Sequence, residues 1–210
     1  MRGLIRFAFD QFYTTFAWTY DAVAAAVSFG EWQQWGRAAM SFLPRAGRLL
    51  EIAHGPGHLH VTLRQAGYHV VGIDLSPQMS RMAHRRVLQA EEVPLLARAS
   101  ALRLPFGDRS FACAVSTFPT GFIFAPETLA EVRRVLQPAG RFVIVPMARF
   151  TGRDALTGLL RLAYRATGQA ETPADVARAR FEAAGYAFAQ HVVPTPRAEV
   201  IVWVCLTPAG

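Results

Sequence analysis

The chain alternates two periodicities, and this restricts its fold more than any single motif. Short runs rich in β-branched and apolar residues occur at Leu49–Ala53, Val70–Asp74, Leu95–Ala99, Phe111–Ser116 and Arg141–Val145, and each reads as a buried strand. Between them lie helical stretches at Leu59–Gln65, Pro77–Ala90 and Pro126–Leu136. Ser76 before Pro77 is an N-cap with proline at the first helical position, and Pro126 opens its helix in the same way. Thr172-Pro173-Ala174-Asp175 has the spacing of a capping box, and Gly185 closes the helix that follows. Strand–helix–strand repeats of this kind build a parallel sheet with helices on both faces.

The last two runs, Tyr186–Val193 and Val200–Leu206, are joined by Pro194-Thr195-Pro196 with no helix between them, so they form a hairpin that puts one antiparallel strand into the sheet. The expected architecture is therefore α/β: a Rossmann-like, doubly wound sheet of seven strands, mostly parallel with one antiparallel strand. The chain reads as one domain over residues 1–210, with residues 1–44 an N-terminal helical cap or lid on a core of residues 45–210. Within the cap, Phe9, Phe12, Tyr13, Phe16, Tyr20, Val23 and Val27 recur at helical spacing.

Composition fixes the setting. At 52% hydrophobic and 18% charged residues, the 210-residue chain describes a globular protein able to bury a core. The formal charge is +7 and all 22 basic residues are arginine, with neither lysine nor asparagine present. Both missing residues have AT-rich codons, so the arginine excess reflects a GC-rich genome before it reflects an acidic partner. Cys113 and Cys205 each lie in an apolar run and read as buried free thiols in a reducing cytoplasm. The apolar beginning is interrupted by Asp10 and Asp21, so it offers neither a bilayer span nor a secretory core. A cytoplasmic protein with no integral membrane segment is expected.

The chemistry concentrates in residues 47–62, GRLLEIAHGPGHLHVT. A strand runs into Gly55-Pro56-Gly57 and out into a helix, with Glu51 behind the turn and histidines at 54, 58 and 60. Such a turn serves the fold alone, a dinucleotide, or another nucleoside ligand. It is expected to aim backbone N–H groups above the sheet edge, with glycine allowing close approach. The second strand ends VVGIDL, which places Asp74 in the same crevice at the carboxyl ends of the strands, where one carboxylate can accept two ribose hydroxyls. The two features together favour a nucleoside-containing cofactor. A nicotinamide fingerprint would need a third glycine near position 60, where the chain has His60, so an NAD-binding oxidoreductase is the weaker reading. The three histidines are too tightly spaced around one turn to pre-form a metal site, and no metal is expected.

LLEIAHGPGHL followed by VVGIDLSPQM resembles the first two motifs of the class I S-adenosylmethionine-dependent methyltransferases, in the branch of the ubiquinone and menaquinone biosynthesis enzymes (methyltransferase type 11). ASALRLPFGDRSFACAVSTF, ETLAEVRRVLQPAGR and FVIVP agree in order, and the resemblance covers roughly residues 45 to 146. It implies S-adenosyl-L-methionine as cofactor, S-adenosyl-L-homocysteine as product and a small, apolar or aromatic methyl acceptor. The alternative it leaves is a protein that binds this cofactor without turnover.

The resemblance also implies roles. Glu51 would organise the methionine end, and Ala53, His54, Gly55 and Gly57 would form the loop beneath the cofactor. Asp74 would hold the ribose, with Leu75 and Met79 flanking the adenine. Ser100, Ala101 and Leu102 would form the adenine wall, and Ser116 and Thr117 would face the sulfonium. Phe118, Thr120 and Phe122 fall where the family places acceptor-facing residues, and Tyr13, Trp18, Tyr20, Trp32 and Trp35 are aromatic candidates for an acceptor pocket; of the five, Tyr13 and Tyr20 are carried as site residues. No catalytic base is assigned. The chain departs from the family at Ala53, which replaces a glycine and is tolerable at an ordinary backbone angle, and at Ser100, which replaces an acidic adenine partner. It also departs at Ala112, where an aspartate is frequent. An RNA-modifying role would need a basic strip or binding module, and neither is present in the sequence.

Overall fold

The computed structural model describes residues 30–151 and 172–209. The aromatic helix expected over Phe9–Val27, including Tyr13, Trp18 and Tyr20, therefore lies outside the described residues, as does the stretch 152–171.

The described elements run α1 (Trp32–Arg37), a 3-10 turn (Ala38–Phe42), β1 (Arg48–Ile52), α2 (His58–Gln65), β2 (His69–Asp74), α3 (Pro77–Gln89), β3 (Leu96–Arg98), β4 (Phe111–Thr117), a 3-10 turn (Gly121–Phe124), α4 (Pro126–Val135), β5 (Leu136–Phe150), α5 (Ala174–Ala183), β6 (Ala187–Pro194) and β7 (Ala198–Leu206). The strands form one seven-stranded sheet in the order β3-β2-β1-β4-β5-β7-β6. β1 pairs in parallel with both β2 and β4, so the strand order reverses between β1 and β4, which is where a ligand crevice opens in a doubly wound sheet. β7 runs antiparallel to β5 on one side and to β6 on the other, so the C-terminal hairpin contributes one antiparallel strand.

Strand alternation explains why both faces are covered. Leu49, Val143, Val145, Val200 and Val202 bury themselves with Trp35, Ala39, Leu59 and Leu63, so α1, the first 3-10 turn and α2 lie on one face. Their sequence neighbours Leu50, Phe142, Ile144, Ile201 and Trp203 point to the other face, against Leu129 and Val132 of α4 and Ala177 and Phe181 of α5. Phe181 sits at the centre of an aromatic cluster with Phe142, Tyr186, Phe188 and Trp203. Residues 30–44, the described part of the segment expected to form a cap, thus pack onto the sheet through Trp35, Ala38, Ala39 and Leu43.

Two local expectations need correction. Thr172–Asp175 forms no capping box: α5 starts at Ala174 with Pro173 as N-cap, and no side chain caps it. β5 is much longer than Arg141–Val145, because Leu136 already pairs with Phe111 before a register shift, and Met147–Phe150 continue along β7. The cap before Pro77 and the glycine stop of α5 hold. Ser76 Oγ accepts the Met79 N–H at 3.3 Å, and Gly185 ends α5 at φ 83.

Candidate functional site

A cavity of about 510 Å³ opens at the carboxyl ends of β1, β2, β3 and β4, a size within the usual range for small-molecule sites. Ala53, His54 and Gly55 from the β1–α2 turn line it, as do Asp74 and Leu75 at the end of β2, and Met79 of α3. Ser100, Ala101 and Leu102 line it beyond β3, and Thr117, Phe118, Thr120 and Phe122 beyond β4. Trp32, Gln33 and Gly36 of α1 complete the wall.

Three residues expected at the cofactor do not line the cavity. Glu51 is 1% exposed, and its Oε2 lies 2.9 Å from His60 Nδ1, beneath the turn. Ser116 is buried and donates to the Ile52 carbonyl at 2.8 Å, tying β4 to the end of β1. Gly57 serves packing: a Cβ there would fall 2.8 Å from Ala83 Cβ and 2.9 Å from Ala83 Cα, so the missing side chain lets α2 start against α3. Trp35 is likewise buried in the core, with its indole N–H on Glu31 at 3.1 Å, whereas Trp32 reaches the cavity.

The turn differs from the sequence expectation in how it spends its N–H groups. His54 N–H goes to the Ile73 carbonyl at 3.1 Å and Gly57 N–H to the His54 carbonyl at 3.0 Å. Gly55 N–H goes to Asp74 Oδ2 at 2.9 Å, and Pro56 has no N–H to offer. The turn is therefore not a cradle of free donors for a pyrophosphate, the arrangement on which dinucleotide loops depend. Arg86 clamps the turn from outside through the Pro56 carbonyl. Gly55 is the point of open approach, since a Cβ there would meet nothing within 4 Å.

Ala53 does not have the ordinary backbone angle expected of it. Its φ is 56, and the left-handed region costs an L-residue about 1–2 kcal/mol. The alanine thus carries strain that the family's glycine would not.

Asp74 is the hub. Its Oδ2 accepts Gly55 N–H and its Oδ1 accepts Ser76 N–H at 2.8 Å, joining the turn after β1 to the N-cap of α3. It is also the only carboxylate among the described lining residues. Further along, Ser100 Oγ accepts the Leu102 N–H at 3.2 Å.

At the β4 end, Phe118 has φ 50, held there by its N–H on the Val145 carbonyl at 2.7 Å. Its ring stacks on Trp32 with centroids 3.8 Å apart and planes 27° from parallel. The contact has no local sequence signal, because α1 and the loop after β4 are far apart in the chain and meet only once the sheet has formed.

Two buried histidines lie at the turn, His54 lining the cavity and His60 beneath it. A carbonyl oxygen only accepts, so His54 Nδ1 donates to Gly55 O at 2.8 Å. His54 Nε2 and His60 Nε2 are buried without a hydrogen-bond partner among the described residues. Gly72 makes room for both rings, since a Cβ on it would lie 3.0 Å from His60 Nδ1 and 3.1 Å from His54 Cδ2.

Residues 50–144 match the family model described as "Methyltransferase domain". The chain is 32% identical over 145 residues to the demethylmenaquinone methyltransferase of Symbiobacterium thermophilum, covering 62% of this chain and 57% of that one. It is 33% identical over 147 residues to the ubiquinone/menaquinone biosynthesis C-methyltransferase of Syntrophotalea carbinolica, covering 68% and 62%. The matches thus span less than two thirds of the length of these curated relatives. Among solved structures, the YcgJ protein of Bacillus subtilis superposes with a TM-score of 0.62 at 17% identity, over 84% of this chain and 98% of that one. Phosphoethanolamine N-methyltransferase 2 of Haemonchus contortus, in complex with S-adenosyl-L-methionine, superposes at 0.61 and 15% identity, over 85% and 53%. These two show the shared fold. The protein is of the α/β class with a nucleoside-type crevice at its switch point. Over residues 50–144 it carries a methyltransferase domain, similar in sequence to the demethylmenaquinone and ubiquinone/menaquinone methyltransferases above.

Proposed function

We propose that the protein transfers the methyl group of S-adenosyl-L-methionine to a small, apolar or aromatic molecule and releases S-adenosyl-L-homocysteine. The observation that carries this reading is Asp74. A carboxylate offers about four lone-pair sites; two are used by Gly55 and Ser76 N–H, leaving capacity for two ribose hydroxyls. The spent N–H groups of the turn fit a cofactor that brings no phosphate. Apolar lining and size fit the remainder of the nucleoside together with a small acceptor.

The strand order supports the following arrangement. Ribose on β2 at Asp74 places the base outward over Ser100, Ala101 and Leu102, between Leu75 and Met79, and the methionine end inward over His54, Gly55 and Thr117. Glu51, Gly57 and Ser116 then act through the backbone that they hold. The cofactor supplies an already activated methyl group on a sulfonium. The protein's own work is alignment of the acceptor and exclusion of water. Phe118, Thr120, Phe122 and Trp32 are the acceptor wall, to which Tyr13 and Tyr20 are added from the sequence pattern. The chain functions as one methyltransferase domain with residues 1–44 as its cap, in the cytoplasm and without a nucleic-acid partner. In support of the last point, Arg64, Arg86, Arg98, Arg134 and Arg178 are each engaged with a carboxylate or a backbone carbonyl. No described helix is long and apolar enough to cross a membrane.

Calorimetric titration should give heat with S-adenosylhomocysteine and none with NAD, and methyl-labelled cofactor should label a compound in a metabolite extract. Binding without transfer to any compound would leave a cofactor-binding protein. Trp32→Ala should lower kcat/KM for the acceptor at least tenfold, while S-adenosylhomocysteine affinity stays within about twofold, because a lost aromatic wall is felt by the acceptor alone.

A further inference from the structure

The far end of the cavity reads its ligand with neutral groups. Asp74 is the only carboxylate among the described lining residues, and its two oxygens are already anchored to Gly55 and Ser76. The strand beside β2 is β3, and Ala99 N–H bonds to the Asp74 carbonyl at 3.1 Å, so Ser100 stands one residue beyond the ribose position on the base side. Its hydroxyl oxygen accepts from Leu102 N–H at 3.2 Å, which leaves one lone pair and the hydroxyl proton for a ligand. Such a group is amphoteric: it accepts from an exocyclic amino group or donates to an exocyclic oxygen with no change of geometry. A carboxylate in the same place accepts only, and it repels a carbonyl oxygen.

We infer that Ser100 relaxes purine specificity, so that the site takes 6-oxopurine sulfonium nucleosides as well as 6-aminopurine ones. This rests on the cofactor reading above, and the base-edge claim is separable from it. The physical basis is that strong rejection of an analogue requires a buried polar group left unpaired by the wrong ligand, and the Ser100 hydroxyl is unpaired by neither. Ser100 and Ala101 are only half-buried, so water also reaches this edge and softens discrimination further.

The test compares S-adenosyl-L-homocysteine with S-inosyl-L-homocysteine by calorimetry on the full chain, in wild type, Ser100→Asp and Ser100→Ala. Wild type should bind the two within about fivefold of each other, and Ser100→Asp should raise the preference for the adenosyl compound by about tenfold or more, the effect of one charge-assisted acceptor. Ser100→Ala should weaken both alike, and its melting temperature reports any cost of the lost Leu102 contact. A wild-type preference for the adenosyl compound beyond about 100-fold would show that another group reads the amino edge. An unchanged ratio in a folded Ser100→Asp protein would overturn the assignment of Ser100 to the base. Failure of wild type to bind either compound would overturn the nucleoside reading itself, and this inference with it.

Discussion

Asp74 and Gly55 are bonded side chain to backbone across the crevice, Oδ2 to N–H at 2.9 Å, so the residue proposed to hold the cofactor also holds the loop that the cofactor rests on. On that proposal, binding and local order are coupled at one carboxylate.

The sequence alone predicts that Asp74→Ala leaves the fold intact, because the carboxylate sits at a strand end. The structure changes that expectation, since Gly55 and Ser76 both lose their acceptor. Asp74→Ala should weaken S-adenosylhomocysteine by about 2–4 kcal/mol and lower the unfolding free energy by about 1–3 kcal/mol, given the usual cost of charged hydrogen bonds and of stranded donors. Calorimetry and urea unfolding check the two separately. Unchanged affinity in a folded variant would remove Asp74 from the site.

Ala53→Gly should stabilise the protein. Alanine at φ 56 is strained, and relief of about 1–2 kcal/mol, less the extra unfolded-state entropy of glycine, leaves a net gain of about 0.5–1 kcal/mol. Ala53→Val should lose stability at the same position, because branching at Cβ worsens the clash. Urea midpoints at unchanged slope decide it.

Both cysteines should be inert in the native state. Burial pushes the Cys113 thiol up to about 12, with Arg141 pulling weakly the other way, and burial raises Cys205 as well. The thiolate is the reactive form, so a disulfide reagent at pH 8 should label neither thiol until denaturant is added. Rapid labelling of native protein would show that one strand opens readily.

Arg134 fastens the loop after β3. It donates to Glu131, to Asp108 and to the Leu104 and Phe106 carbonyls, while Glu131 accepts Leu104 N–H at 2.7 Å. The hydrogen bond from Arg134, ahead of smaller contributions, holds the Glu131 carboxyl below its ordinary value of 4.5. A carboxyl lowered on folding contributes stability in full above its unfolded value, and the contribution is lost as pH falls through the lowered folded value. The unfolding free energy of wild type should therefore decline below pH 4.5 more steeply than that of Glu131→Gln. Parallel curves would mean that the pair contributes nothing to folding.

The architecture was legible because period and punctuation agree with each other. Pro77, Pro126 and Gly185 mark helix ends that the structure keeps, and the hairpin at Pro194–Pro196 gives the reversed strand. What was not legible depends on contacts between elements. Glu51 reads as a ligand-facing carboxylate until α2 folds back and sets His60 against it. A signal for this was present: an acid on a buried strand, a histidine nine residues later in the following helix, and Gly72 clearing space on the adjoining strand. Gly57 resembles a cofactor glycine, and its packing role was not legible, because only the structure shows Ala83 against it. Thr172-Pro173 ahead of α5 offered the right residues for a cap without the geometry.

β7 is made after β6 and yet lies inside it in the sheet. During synthesis β6 leaves the ribosome with no strand to pair with, because its partner for all of Ala187–Pro194 is β7. The outer edge of β5 stays open for the same reason. β7 then closes both at once, burying Val200 and Val202 on one face and Ile201 and Trp203 on the other. Two unpaired edges make such a nascent chain prone to pair with its neighbours. The hairpin is a keystone: β5 and β6 gain their shared neighbour only when β7 is in place.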